Sequence, residues 1–184
     1  MEPVTVLPHG RPLRRADLDA MPDDGHRYEL IDGVLIVSPS PSHPHQRAGF
    51  RLARLLDDAC PDDLEVLIAP FDVVLADDTV VIPDILVARR SDITFRDLPV
   101  APVLTVEVLS PSTRRFDLML KRSRFEAAGV GSYWVVDPIE VSLRAWDLVD
   151  GTFAEVADVP AGTAWTARKP FAVTIDPARL VSER

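Results

Sequence analysis

The feature that most constrains this chain is a short run in which one carboxylate interrupts an otherwise apolar segment. The run is Val103-Leu104-Thr105-Val106-Glu107-Val108-Leu109, and such nearly continuous apolar character is typical of a strand buried on both faces of a sheet. An ionised carboxylate inside that strand costs several kcal/mol unless a cation meets it. Glu107 is therefore half of a structural ion pair, a residue near a strand end that reaches solvent, or part of a functional site.

The rest of the pattern predicts one α/β or α+β domain, spanning residues 1–184, around a central mixed β-sheet flanked by helices. A chain of 184 residues fits a single domain, and its one cysteine excludes a disulfide framework. The pair Asp32-Gly33 predicts a hairpin over Tyr28–Val37, and apolar spacing predicts a helix through Ala48–Ala59.

Further elements follow from the same patterns. A short helix is expected over Arg14–Met21, and a later helix is expected to bury a stripe formed by Phe116, Met119, Leu120 and Ala127. The other predicted strands are Leu64–Ala69, Phe71–Leu75, Val80–Val87, Ser132–Val136, Val141–Leu148, Thr152–Val156 and Phe171–Ile175, the last three forming a C-terminal meander.

A second lone carboxylate, Asp84, lies inside the apolar run Val80–Val87. The preceding Pro83 removes a backbone donor, so the strand is expected to be irregular or at an edge, although a Pro-Asp pair alone usually marks a turn. If this run pairs with that of Glu107, the two carboxylates converge and need a shared proton or a divalent cation. Carboxylate oxygens are hard ligands that suit Mg²⁺ or Mn²⁺.

Two more residues complete a candidate cluster. Glu29 alternates with apolar residues in the predicted hairpin, which also fits the solvent face of an edge strand. Lys121 follows Glu107 by one loop and one or two helical turns, so it can supply the missing cation or stabilise charge on a phosphate. Its alternative is a surface pair with Asp117, four residues earlier.

The overall charge limits any role with nucleic acid. The chain has 29 acidic and 20 basic residues, a formal net charge of −9, and an acidic protein repels the phosphate backbone on average. Two segments on the predicted helices, residues 42–56 and 114–126, are nevertheless basic. Each is either a solvated helix face or a surface that contacts phosphates. His45, at the start of the first long helix, either hydrogen-bonds there or faces a phosphate. The candidate nucleic-acid contacts are Arg47, Arg51, Arg114, Arg115 and His45.

Several motifs in order resemble a known family. They are Tyr28-Glu29-Leu30-Ile31-Asp32-Gly33, Val106-Glu107-Val108-Leu109-Ser110-Pro111-Ser112, Asp117-Leu118-Met119-Leu120-Lys121 and Tyr133-Trp134-Val135-Val136-Asp137-Pro138. Together with Pro83-Asp84 they are similar to the PD-(D/E)xK nuclease superfamily and, within it, to the bacterial Uma-two (Uma2, DUF820) family of restriction-endonuclease-like proteins. The resemblance covers roughly residues 15 to 175.

The resemblance implies a restriction-endonuclease-like fold and a Mg²⁺-dependent (or Mn²⁺-dependent) endonuclease that hydrolyses DNA. By motif position, Asp84 and Glu107 match the metal-binding acids, the Val108 carbonyl matches a backbone ligand, and Glu29 matches an upstream acid. The sequence departs from the superfamily motif at Leu109, where a lysine is expected, so Lys121 on the next helix takes over that role. A homodimer is implied because fold relatives often dimerise.

Two other functions stay open from the sequence. The fold can serve as a catalytically silent binding or regulatory module, or the chain can be a structural protein whose buried acids are ion-paired. If DNA is the substrate, the acidity predicts weak, salt-sensitive and metal-dependent binding. The chain lacks a signal-peptide pattern and any run long enough to cross a bilayer, so a cytoplasmic protein without membrane contacts is expected.

Overall fold

The computed structural model describes residues 10–22, 24–111, 114 and 116–182, with Phe116 described by its backbone alone. The described chain forms a six-stranded sheet, a five-stranded sheet and a two-stranded ribbon. In spatial order, the six-stranded sheet contains β11 (Thr152–Val159), β10 (Ser142–Val149), β9 (Ser132–Asp137), β8 (Leu104–Val108), β6 (Ile85–Arg89) and β3 (Leu64–Ile68). The five-stranded sheet contains β2 (Val34–Ser38), β1 (Arg27–Ile31), β5 (Thr79–Val81), β4 (Asp72–Ala76) and β7 (Asp97–Leu98).

The six-stranded sheet is mixed, as the sequence predicts. Strand β8 pairs in parallel with β9, while the other pairs in this sheet are antiparallel. All five residues of β8 are buried, so the prediction of a strand covered on both faces is confirmed. Strands β10 and β11 extend the sheet beyond β9 as the first part of the predicted meander.

Helices cover the sheet and close the chain. They are α1 (Arg15–Leu18), α2 (His43–Ala59), α3 (Arg122–Ala128) and α4 (Pro177–Val181), with a 3₁₀ turn at Arg90–Asp92 and a π-helical segment at Phe116–Lys121. None of the helices within the described ranges has the length and apolar character needed to cross a membrane.

The two faces of β8 serve different parts of the core, because successive strand residues point to opposite sides. Val106 and Val108 pack in a cluster with Leu52 and Leu56 of α2. A second cluster occupies the other side of the sheet and contains Tyr133 of β9. Since Glu107 alternates with Val106 and Val108, its side chain enters the second side, toward the five-stranded sheet.

One predicted strand is in fact two. The apolar run Val80–Val87 breaks at Pro83-Asp84, so that its first half lies in β5 of the five-stranded sheet and its second half in β6 of the six-stranded sheet. A proline cannot donate to a sheet ladder, which explains why the strand ends there. Asp84 consequently lies at the point where the chain passes from one sheet to the other.

The apolar stripe predicted for the second helix is only partly right. Leu120 is partly buried against the second cluster, whereas Met119 and Ala127 are exposed and the side chain of Phe116 lies outside the described residues. The fully buried positions are Asp117, Lys121 and Phe125. The segment begins as a π-helix, whose wider turn shifts which residues face inward compared with a regular α-helix. A regular α-helical period therefore does not identify the buried residues of this segment.

The C-terminal end differs from the predicted meander. The predicted strand Phe171–Ile175 is shorter, and as β13 (Val173–Ile175) it pairs with β12 (Trp165–Ala167) in the separate ribbon rather than with the main sheet. Helix α4, which sequence patterns missed, follows directly and buries Leu180 in the same cluster as Leu52. A helix of five residues is too short to show an apolar period.

Candidate active site

The structure buries Glu107 completely and gives it a cation. The residue is 1% exposed, and its Oε1 lies 3.1 Å from the Nζ of Lys121. Glu107 is therefore neither a solvated strand end nor an unpaired charge. Desolvation of a carboxylate in a covered strand explains why a partner is required here.

Lys121 pairs with Glu29 as well as with Glu107. Its Nζ lies 2.8 Å from Oε1 of Glu29 and 3.9 Å from Oδ1 of Asp117, and the side chain is 3% exposed. The pair with Asp117 exists, but it is buried, so the alternative of a surface pair is wrong. The π-helical segment that carries Lys121 is held by Tyr133, whose hydroxyl donates to the Asp117 carbonyl at 2.7 Å.

Glu29 lies inside the protein, on β1, and not on the solvent face of an edge strand. It is 1% exposed, and its Oε1 also accepts a hydrogen bond from the backbone N–H of Ile82 at 2.8 Å. Strand β1 pairs with β2 on one side and with β5 on the other. A covered central strand turns an alternating acid inward as readily as outward, which is why alternation alone could not decide its place.

Asp84 has three hydrogen-bond donors at the break between β5 and β6. Its Oδ2 accepts from the Val108 N–H at 2.8 Å and lies 3.1 Å from Nε2 of His45, while its Oδ1 accepts from Nη1 of Arg27 at 3.1 Å. The expected pairing of the two acid-bearing runs is confirmed, because Ile85 stands opposite Val106 in β6 and β8. Sequence reasoning missed Arg27.

The two side chains that contact Asp84, those of His45 and Arg27, come from different elements. His45 is the third residue of α2, and its ring reaches Asp84 rather than capping the helix. Arg27 starts β1, and its Nε, although 3.9 Å from Oε2 of Glu29, is buried without a hydrogen-bond partner. Its position two residues before Glu29 places both side chains on the same face of β1, and that spacing is the signal by which Arg27 could have been found.

Asp84 and Glu107 differ in their proton affinity. Burial by itself would raise the pKa of Asp84, but the hydrogen bond and charge of His45, the charge of Arg27 and the Val108 N–H outweigh it and hold the pKa at about 2. Burial raises the pKa of Glu107 well above its usual value; Lys121 opposes this, while neighbouring carboxylates add to it. The cations present therefore compensate Asp84 more fully than Glu107.

Lys121 remains a cation under all ordinary conditions. Burial would lower its pKa, but the charges of Glu107, Glu29 and Asp117 outweigh burial and raise the pKa above its usual value. A lysine held this way donates hydrogen bonds and supplies positive charge, and it does not act as a base near neutral pH. This agrees with a role in charge stabilisation rather than in proton removal.

A cavity of about 260 Å³ opens onto this cluster. Its charged lining residues are Arg27, His45, Asp84, Glu107 and Asp117. Ser38 at the end of β2 and the following loop, residues 39–42, form one wall. The alternating serines and prolines of this loop exclude a helix. Small polar walls around paired carboxylates leave room for a charged ligand.

The basic residues expected to contact DNA are mostly engaged elsewhere. Arg47 donates to the carbonyls of Val181 and Ser182, and Arg51 donates to those of Arg179 and Ser182, all at the end of α4. The structure therefore does not bring these two arginines to the carboxylates.

In the second basic segment, residues 114–126, the structure describes only one of the two predicted DNA contacts. Arg114 forms an ion pair with Asp137 and stays partly exposed, whereas Arg115 lies outside the described residues. Asp137 also accepts hydrogen bonds from the N–H groups of Ile139 and Glu140. Contact with DNA remains a prediction for all four arginines.

The side chains of this cluster fit a divalent cation only in part. Within the described residues, no group of three or more His, Cys, Asp and Glu side chains has an arrangement that could hold a metal ion. Asp84 and Glu107 nevertheless line one cavity, and with a backbone carbonyl they offer the oxygen ligands that Mg²⁺ or Mn²⁺ prefers. Four carboxylates, counting Glu29 and Asp117, face two permanent cations, Arg27 and Lys121, so a further positive charge is compatible with the site.

Comparison with known proteins places this geometry in a family. The Uma2 family, described as "Putative restriction endonuclease", matches residues 15–178. A crystal structure described as "a putative nuclease belonging to DUF820" from Anabaena variabilis ATCC 29413 is similar in fold, with a TM-score of 0.76 and 17% identity, over 92% of this chain and 98% of that chain. No curated protein matches. Because the family match spans nearly the whole chain, including all four candidate catalytic residues, this protein belongs to the Uma2 family.

Proposed function

We propose that this protein is a metal-dependent endonuclease that hydrolyses phosphodiester bonds of DNA. The observation that carries the proposal is a buried lysine, Lys121, held between Glu29 and Glu107, of which Glu107 lines one cavity together with Asp84. Membership of a family described as restriction-endonuclease-like supports the same class of reaction. If these charges had only a structural role, they would not need to border an open cavity.

Each residue has a distinct task in this proposal. Asp84, Glu107 and the Val108 carbonyl would hold Mg²⁺ or Mn²⁺, which supplies positive charge and Lewis acidity at the attacked phosphate. His45 and Arg27 fix the orientation of Asp84 through its two oxygens. These contacts keep Asp84 ionised, so it is ready to bind a cation without losing a proton.

Lys121 and Glu29 act together on the other side of Glu107. The ammonium group stays protonated and places its charge where negative charge develops on the phosphate. Glu29 also pairs with this ammonium group and is itself fixed by the Ile82 N–H. The ammonium group is therefore held between Glu29 and Glu107. Positioning of this kind is what phosphoryl chemistry chiefly demands from a protein.

The test is the nicking of supercoiled plasmid with Mg²⁺ or Mn²⁺. We expect the wild type to nick and Glu107→Gln to lose at least about 100-fold in rate. Asp97→Asn, which changes a buried acid that does not line the cavity and belongs to a different ion pair, is the matched control and should retain the rate. Unchanged nicking by Glu107→Gln would remove the site assignment.

A second candidate function is a binding or regulatory module without turnover. It is favoured by the charge pairing itself, since Lys121 and Arg27 already occupy oxygens of Glu29, Glu107 and Asp84. In that case the wild type would bind DNA with every divalent ion but cleave with none. Absence of both cleavage and DNA binding would instead leave the structural role, in which the acids only hold the two sheets together.

A further inference from the structure

Two large apolar side chains from different elements are exposed together beside the charged cluster. Phe50 of α2 is 61% exposed and Ile68 at the end of β3 is 58% exposed. Both line a cleft of about 130 Å³ that also contains His45 and Asp84. Single exposed apolar residues are ordinary, but a pair that shares a cleft with a charged site marks an interaction surface.

The spacing between Phe50 and the charged cluster suits one nucleotide. Phe50 follows His45 by five helical positions, which is about 7.5 Å along the axis at about 1.5 Å per residue. Arg54, one turn further on, places its guanidinium 6.0 Å from the centre of the Phe50 ring. The cleft therefore has Asp84 with Arg27 and His45 at one end, an open aromatic ring at the other, and the Arg54 guanidinium next to that ring.

The size and lining of the cleft decide between a base and a protein partner. A stable protein interface needs about 800 Å² from each side, whereas this cleft holds only two exposed apolar side chains and opens onto ionised groups. A second copy of this chain would also bring its own net charge of −9 against Asp84. A planar aromatic ring beside an arginine is instead the surface on which a nucleobase stacks.

We propose that Phe50 is a stacking platform for an unpaired nucleobase next to the phosphate that enters the active-site cavity. The proposal rests on the DNA-directed function proposed above and names its substrate class. A base within an intact duplex is stacked on its neighbours and cannot lie on this ring. The substrate class is thus unpaired DNA: a single strand, a frayed strand end, or a stretch that supercoiling has opened in a plasmid. Stacking also adds affinity that does not depend on charge, which an acidic protein needs.

The experiment measures binding without turnover. In a Glu107→Gln background with Mg²⁺, fluorescence anisotropy follows a labelled 12-nucleotide deoxyadenosine strand at several salt concentrations. We expect Phe50→Ala to weaken binding by about 5- to 150-fold at every salt concentration. The slope of log affinity against log salt should not change, because no phosphate contact is lost. Phe50→Trp should keep or tighten binding.

Two controls separate stacking from a general disturbance. Phe95→Ala removes a phenylalanine that is fully exposed and does not line this cleft, and it should leave binding unchanged. A strand of the same length with abasic sugars keeps the phosphates but has no bases, so Phe50→Ala should not weaken its binding further. Equal loss on both strands, a changed salt slope or no loss at all would overturn the proposal.

Other outcomes also decide. If the parent protein does not bind the single strand, or binds a duplex of the same length more tightly, the proposal is overturned. If sedimentation shows a dimer that Phe50→Ala dissociates, the cleft is a subunit interface and the proposal is overturned as well. Lack of cleavage by the wild type together with base-dependent binding would contradict the proposed hydrolysis but support the stacking platform, so the two failures are distinguishable.

Discussion

Two buried acids, Glu107 and Asp97, are paired with cations in different ways. Asp97 of β7 is 7% exposed; its Oδ1 accepts from the Thr94 hydroxyl at 2.7 Å and its Oδ2 accepts from Arg15. Glu107 instead shares Lys121 with a second carboxylate. The hydrogen bond from Thr94, followed by Arg15, lowers the pKa of Asp97 below its usual value, whereas burial raises that of Glu107.

The difference separates a structural ion pair from the proposed site. Asp97 has its own cation and its own hydroxyl, and this pair ties α1 to the five-stranded sheet. Glu107 competes for its cation and borders a cavity. A buried carboxylate whose charge is fully met by the protein needs nothing more, but one that shares its cation can accept another from solution.

The largest expected effect is the loss of Lys121. Lys121→Met leaves Glu29 and Glu107 buried without their ammonium group, and breaking a buried pair in this way costs about 3–5 kcal/mol of unfolding free energy. Urea unfolding at pH 7 measures the change. A variant as stable as the wild type would show that the acids do not depend on this cation.

A smaller loss of unfolding free energy is expected when the ion pair between Arg15 and Asp97 is broken. Arg15→Met removes the cation from Asp97, but Asp97 keeps the Thr94 hydroxyl and Arg15 is itself 32% exposed, so water can replace it. We expect a loss of about 1–2 kcal/mol in the same unfolding assay, with plasmid nicking unchanged. Loss of nicking in a folded Arg15→Met protein would contradict the division between the two regions.

A third effect tests how the lysine is positioned. Tyr133→Phe keeps the ring, which packs 5.5 Å from Phe125 between centroids, but removes the hydroxyl that donates to the Asp117 carbonyl. We expect about 1 kcal/mol of destabilisation and a several-fold lower kcat with KM unchanged, because Lys121 is less firmly held. Tyr28→Phe removes the hydroxyl of the other tyrosine, which donates to Asp24 at the surface, and should leave kcat unchanged.

The sequence predicted the cluster better than its surroundings. Glu107, Asp84, Glu29 and Lys121 were identifiable because charges inside apolar runs and motifs in a fixed order are visible in one dimension. The strand break at Asp84 was visible only as a proline, since nothing in Val80–Val87 states which sheet each half joins. Burial of Glu29 depends on strand β5, which is distant in sequence.

The basic residues show the limit most clearly. Arg47 and Arg51 look like a free basic face because helix α4, whose carbonyls they meet, lies about 130 positions away and has no sequence period. Arg27 was missed because its one sequence signal is the two-residue spacing to Glu29, and that spacing gains meaning only when Asp84 is placed beside it. Side chains that act across two sheets are set by tertiary packing and not by local spacing.

The smallest expected effect concerns acid. The pKa of Asp97 is lower in the folded chain than in the unfolded chain, where it is about 3.9. Between these two values the unfolded state binds more protons, so the ion pair stabilises the fold fully above about pH 4–5 and the stabilisation is lost as pH falls through the folded pKa. Asp97→Asn should therefore destabilise the protein more at pH 7 than at pH 3 in urea unfolding. An equal or larger effect at pH 3 would show that Asp97 contributes through packing and neutral hydrogen bonds rather than through its charge.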